Sequence, residues 1–222
     1  MSILGGVQCL SGFMNPGAPA PEVGVWKIHG HIRERLFDTR EYWVSCDPWN
    51  GDMKSQVIKM LDHKPKIIVA AGVHSYGFGR AFRDWCKWLR HWGRNVDHVN
   101  IIDGVPRYDR WYHVWPFLTW RSLWGSELLQ VPKNVKSVSV FYTINRKSWS
   151  SPRARDIQAR DELHVVRRVV FGHGGVKQGG WPPGKIIIDP QVTHGTIDNN
   201  KRVQEWCLED TYKALGVTDV AA

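Results

Sequence analysis

The sequence of 222 residues has only four cysteines, Cys9, Cys46, Cys86 and Cys207, and none forms a CxxC pair. The gaps between them are too wide for a zinc knuckle. Four thiols could form two disulfides, but nothing secretory supports them. The N-terminal stretch has no basic region and breaks at Gly and Pro before any long apolar run. No stretch approaches the ~20 apolar residues a membrane span needs. The expectation is a cytoplasmic protein with reduced thiols. There is no HExxH, and Gly72-Val73-His74-Ser75-Tyr76-Gly77 lacks the lysine of a phosphate loop. Gly77-Phe78-Gly79 lacks the rest of a dinucleotide fingerprint. His29-Gly30-His31 has H-x-H spacing, but Ile32-Arg33 follows where further ligands would stand. Neither a metal nor another cofactor is therefore expected. Internal repeats and low-complexity segments are absent too.

What is present is ordinary globular material. Hydrophobic residues make up 42% and charged residues 23%. That suffices for a proper core and excludes disordered, collagen-like and disulfide-scaffold classes. Thirty basic residues against 21 acidic give a net charge of +9. A positive field attracts polyanions, so nucleic acid, anionic lipid or a cell-wall polymer are conceivable partners. The compositional anomaly is 13 Trp against 6 Tyr and 7 Phe.

Along the chain, short β-branched runs alternate with helical periodicity. Residues 1–23 read as an extended lead-in with room for one short strand. Val23–Ile28 reads as a buried strand ending at His29-Gly30-His31, and Tyr42–Cys46 as a second strand. A helix opens at Gly51-Asp52 and runs to about His63, with Met53, Val57, Ile58 and Leu61 on its apolar side. Lys66–Ala71 is the clearest buried strand, and a long helix follows from about Gly79 to Trp92. Further strands are expected at Val96–Ile102, Val135–Ile144 and Lys185–Asp189, then a last helix from about Asn200 to Leu215. Strands separated by helices predict an α/β fold, a mostly parallel sheet with helices on both faces. Residues 107–132, packed with Trp, and 148–181, charged and then Gly-rich, read as insertions at strand ends.

In such a sheet, function sits beyond the C-terminal ends of the strands. The reactive residues that fall there are His29 and His31, His74 and Ser75, Asp103, and His194. Ser on a strand-to-helix turn, an acid after a later strand and a His after the last strand stand in the chain order Ser, Asp, His. With His74-Ser75-Tyr76-Gly77, His29-Gly30-His31 and Thr193-His194-Gly195-Thr196-Ile197-Asp198, the chain resembles a small member of the α/β-hydrolase superfamily, on the esterase/lipase side. One departure is Val73, where the family has a small residue two before the Ser.

The resemblance implies a serine hydrolase for carboxylic esters. Ser75 would be the nucleophile, His194 the base and Asp103 the acid, with an oxyanion hole from the backbone N–H groups of Tyr76 and His31. It also implies a short aromatic cap at about 106–132, where Trp111 and Trp115 would line a substrate pocket for a small-molecule ester. A structural reading stands beside each role. Ser75 could cap a helix, Asp103 could start an Asp-Gly turn, and Trp111 and Trp115 could form one apolar helical stripe. His173 is the rival base, Asp198 reads as a cap for the last helix, and Asp189 as a strand end. Arg80, Arg83, Lys87, Arg90 and Arg94 recur at helical spacing, opposite Phe82, Trp85, Cys86 and Leu89. Such a face is usually solvated. The alternative function is a non-catalytic α/β protein binding nucleic acid or another polyanion there, and Arg107, Arg110 and Arg121 among the Trp residues would suit anionic lipid.

Overall fold

The computed structural model describes residues 2–12, 23–36, 39–75, 77–105, 129–145, 156–158, 160–172 and 185–217. The strands are β1 (Gly5–Ser11), β2 (Tyr42–Pro48), β3 (Ile67–His74), β4 (His98–Ile102), β5 (Ser137–Thr143), β6 (His164–Gly172) and β7 (Lys185–Ile188). The α-helices are α1 (Gly24–Leu36), α2 (Met53–Asp62), α3 (Arg83–His91) and α4 (Lys201–Leu215). Among the described residues, the seven strands join one sheet in the order β2-β1-β3-β4-β5-β6-β7, and each of these pairings is parallel.

Helices cover both faces, as a parallel sheet requires. Met53, Val57 and Met60 of α2 and Trp85, Cys86 and Leu89 of α3 form one apolar layer with Leu10, Ile68, Val73 and Ile101 of the strands. Val25, Ile28, Ile32 and Leu36 of α1 and Val203, Cys207, Tyr212 and Leu215 of α4 form the other, against Val7, Val69, Ile102 and Phe141. Phe78, Phe82 and Trp85 stack in series, with centroids 5.6 and 6.1 Å apart. Each such fully buried side chain contributes about 1.5–3 kcal/mol, so the helix after β3 is fastened along its length.

Three expectations change. Val23–Ile28 is helix rather than strand, because Val25, Ile28, Ile32 and Leu36 form a single buried stripe at helical spacing. Six residues were too short a window to show it. The first strand is instead β1, buried along all seven residues and lying between β2 and β3, one strand in from the edge of the sheet. It begins Gly5-Gly6, and a Cβ there would lie 2.6 Å from Leu215 Cδ2 or Met60 Sδ, so helices pack directly onto bare backbone. Within the expected charged insertion at 148–181 lies β6. Its Arg167 and Arg168 disguised the strand; the first pairs with Asp210 and Glu209, the second with Asp156. Of the aromatic cap expected at about 106–132, residues 106–128 lie outside the described residues.

The connections set the position of the site. From β1 the chain moves outward through α1 to β2, then crosses back through α2 to β3 on the other side of β1. The direction of winding reverses between β1 and β3. Loops leave such a switch point in opposite directions and open a crevice at the carboxyl ends of the strands. Among the described residues, no helix is long and apolar enough to cross a membrane.

Candidate active site

Ser75 follows β3 at this switch point with φ +52°, a left-handed conformation uncommon for a residue with a side chain. Its backbone is fully engaged. The Ser75 N–H donates to Ile102 O at 3.2 Å, and its carbonyl accepts from Phe78 and Val105, both at 3.2 Å. The turn is thereby tied to its own helix and to the end of β4. Position 77 has to be glycine, since a Cβ there would lie 2.9 Å from the carbonyl oxygens of Leu10 and Ser11. Helical structure then opens with a wide π-type turn over Gly77–Phe82 before α3 begins, a feature concentrated at functional sites. Val73 is fully buried in the layer that holds Phe78, Ala81 and Phe82.

Asp103 directly follows β4, also with φ above zero, at +48°; Asp tolerates this better than most residues. Its N–H donates to Phe141 O at 2.6 Å, and Oδ1 accepts the Thr143 N–H at 2.8 Å. The carboxylate is inaccessible to solvent, with Oδ2 aimed at the loop that carries His194.

That loop is anchored by the end of β5. Thr143 Oγ1 and Asn145 Nδ2 both donate to Val192 O at 2.9 Å, and Asn145 also reaches Asp189 O at 2.7 Å. Each such bond contributes about 1 kcal/mol net. Inside the loop, Thr196 Oγ1 accepts from Thr193 N at 2.9 Å. His194 then projects between the other two residues. Nδ1 is 2.5 Å from Asp103 Oδ2, and Nε2 is 3.1 Å from Ser75 Oγ. The partners assign the tautomer: Nδ1–H donates to the carboxylate, leaving Nε2 to accept from the hydroxyl. Ser75, Asp103 and His194 are thus brought into one hydrogen-bonded chain, 4% exposed at Ser75 and 0% at Asp103.

The other expected residues fare differently. His31 is exposed on α1, and His29 is half-buried on the same helix. Neither ends a strand, and the His31 N–H lies within a helix rather than at a strand end beside Ser75. Side chains two apart on a helix diverge, so the H-x-H spacing does not converge on one point. Tyr76, Trp111, Trp115 and His173 lie outside the described residues. The backbone beside Ser75 on the β1 side is Gly12, where an added Cβ would lie 2.9 Å from Ser75 Cβ.

Asp198 does not cap α4. That role falls to Asn200, whose Oδ1 accepts from Arg202 N and Val203 N. Asp198 Oδ2 instead lies 3.2 Å from His74 Nδ1. No sequence signal pointed to this pair, because its members are 124 positions apart, from His74 to Asp198. Other nucleophiles are suppressed: burial pushes the Cys86 and Cys207 thiols far up, and burial with a Cys9 contact raises Cys46. Among the described residues, no group of three or more His, Cys, Asp or Glu is placed to hold a metal. Arg80, Arg83, Lys87 and Arg90 are exposed along one helical face, opposite buried Phe82, Trp85, Cys86 and Leu89.

No protein-family model matches this chain, and no curated protein is significantly similar to it.

Proposed function

We propose that the protein is a serine hydrolase of carboxylic esters working through an acyl-enzyme. The observation that carries this reading is the Ser75–His194–Asp103 chain, with contacts of 3.1 and 2.5 Å. A serine hydroxyl is a poor nucleophile without an adjacent base. His194 Nε2 takes the Ser75 proton as Oγ attacks the ester carbonyl carbon. The imidazolium then delivers that proton to the departing alkoxide, leaving the acyl group on Ser75. Water, deprotonated by His194, cleaves the acyl-enzyme and releases the acid. Asp103 holds the imidazole tautomer and stabilises the imidazolium.

The oxyanion of the tetrahedral intermediate needs backbone donors. The N–H of Tyr76, the residue after the nucleophile, is proposed as one. Gly12 replaces His31 as the proposed source of the second, because its backbone lies against Ser75. Trp111 and Trp115 are proposed to line the acyl pocket, with small-molecule esters as substrates. The test is labelling with a fluorophosphonate followed by peptide mapping. Adduct at Ser75 that disappears in His194→Ala supports the reading; folded wild-type protein without adduct sinks it.

A second reading draws on the exposed cations of α3: this face binds a polyanion, nucleic acid in particular. Duplex DNA binding that tightens steeply as salt is lowered would support it, since phosphate contacts release counterions. Affinity unchanged by Arg83→Ala/Lys87→Ala/Arg90→Ala would dismiss it.

A further inference from the structure

Beside the Ser75–His194–Asp103 chain stands a second imidazole and carboxylate that this mechanism does not use. His74 immediately precedes Ser75, and Asp198 follows His194 by four residues. Their contact, 3.2 Å between His74 Nδ1 and Asp198 Oδ2, therefore joins the same two loops that the Ser75–His194 contact joins. The His74 and His194 rings also face one another, with centroids 5.3 Å apart and planes inclined by 33°.

A single contact between two loops leaves their relative rotation open, and the imidazole between them can swing about its own side-chain torsions. A second contact one residue away removes that rotation. A ring packed against the face of His194 blocks the swing. Asp198 is itself held from two further directions. Gln204 Nε2 donates to its carbonyl at 2.8 Å. The start of α1 presses on its carboxylate at Gly24, where φ is +59° and a Cβ would lie 2.3 Å from Oδ2. Gly24 N also donates to the neighbouring Asn199 Oδ1 at 2.7 Å. Two elements distant in sequence, the turn after β3 and the start of α1, thus converge on a carboxylate that the last helix does not need for capping.

We propose that His74 and Asp198 act as a positioning pair, holding the His194 loop in register with the nucleophile turn so that His194 Nε2 meets Ser75 Oγ. This rests on the serine-hydrolase reading above. Misplacement of a reacting group by about 1 Å costs on the order of 10²-fold in rate. Loss of the pair should therefore lower the chemical step and spare substrate affinity.

The experiment uses the full chain and four variants: His74→Phe, His74→Asn, Asp198→Asn and the double variant His74→Phe/Asp198→Asn. The readouts are the rate of fluorophosphonate labelling at Ser75, kcat and KM for a p-nitrophenyl ester, and the melting temperature. The expectation is a fall of about 10–100-fold in labelling rate and kcat for His74→Phe and for Asp198→Asn, with KM within about twofold of wild type. The double variant should be no worse than either single, as for residues that act as one unit. His74→Asn keeps an N–H donor toward Asp198 and should recover most of the rate.

Labelled wild type with His74→Phe and Asp198→Asn reacting at the wild-type rate overturns the inference alone. So do losses that simply add, or variants that no longer melt cooperatively, which would make the pair an element of the fold. Unlabelled wild type overturns the hydrolase reading and this inference together.

Discussion

Two histidine–carboxylate pairs meet at the carboxyl edge of this sheet, and they differ in what the second imidazole nitrogen faces. In His194–Asp103 the far nitrogen is 3.1 Å from the Ser75 hydroxyl. In His74–Asp198 it is buried and has no hydrogen-bond partner among the described residues. The carboxylates differ as well. Asp103 is anchored by the backbone of the neighbouring strand through Thr143 N. Asp198 is held by loop and helix contacts from α1 and α4. Under the proposed reading, the same residue types point a base at a nucleophile in one pair and brace that base in the other. Only the surroundings separate the two jobs.

The largest effect expected is from removing the imidazole that faces Ser75. His194→Ala, like Ser75→Ala, should lower ester turnover by about 10⁶-fold, measured against p-nitrophenyl esters with the melting temperature unchanged within a few degrees. Asp103→Asn should retain the loop geometry and reduce kcat by about 10⁴-fold; a loss below tenfold would deny Asp103 its place in the chain. Substitution in the second pair is expected to cost far less, as set out above for His74 and Asp198. A ratio near one between His194→Ala and His74→Phe would erase the distinction between the pairs.

A smaller effect probes the brace from outside. Gly24→Ala puts a methyl group on a left-handed backbone and into Asp198. The backbone alone costs about 1–2 kcal/mol, which lowers the melting temperature by roughly 2–8 °C for a chain of this size. Turnover should fall with it, since Asp198 must move. Unchanged melting would contradict the close packing of α1 against this loop.

The smallest effect concerns a histidine outside both pairs. His98 on β4 is 2% exposed, with Nε2 3.1 Å from Asn100 Oδ1. Burial, outweighing the Asn100 bond and the Asp210 charge, lowers its pKa below the ordinary 6.5, and His164 lowers it further. The unfolded chain then binds the extra proton, so this contribution to stability is present above about pH 6.5 and is lost as pH falls toward the folded-state value. Urea titrations across that range should show the decline, and His98→Gln should flatten it.

Much of this could be read directly from the sequence. The runs at Ile67–His74 and His98–Ile102 are apolar and bounded by turns, so the sheet and the placement of Ser75 and Asp103 at strand ends followed from local pattern. The position of His194 after the last strand was legible in the same way. These inferences succeed because side-chain period and strand ends are local properties. The helix at Gly24–Leu36 was lost to a six-residue window, β1 to its paired glycines and β6 to two arginines whose acidic partners lie elsewhere in the chain.

The sequence alone therefore determined the alternation of strands and helices, and which polar residues stand at the carboxyl ends of β3 and β4. Only the tertiary structure decided that β1 lies between β2 and β3 and that winding reverses beside Ser75. It also decided that His74 finds Asp198 rather than leaving that carboxylate to cap a helix. The reason is physical. Strand order and the meeting of loops depend on burying two apolar layers at once, and contacts between residues more than a hundred positions apart leave no periodic trace in the chain.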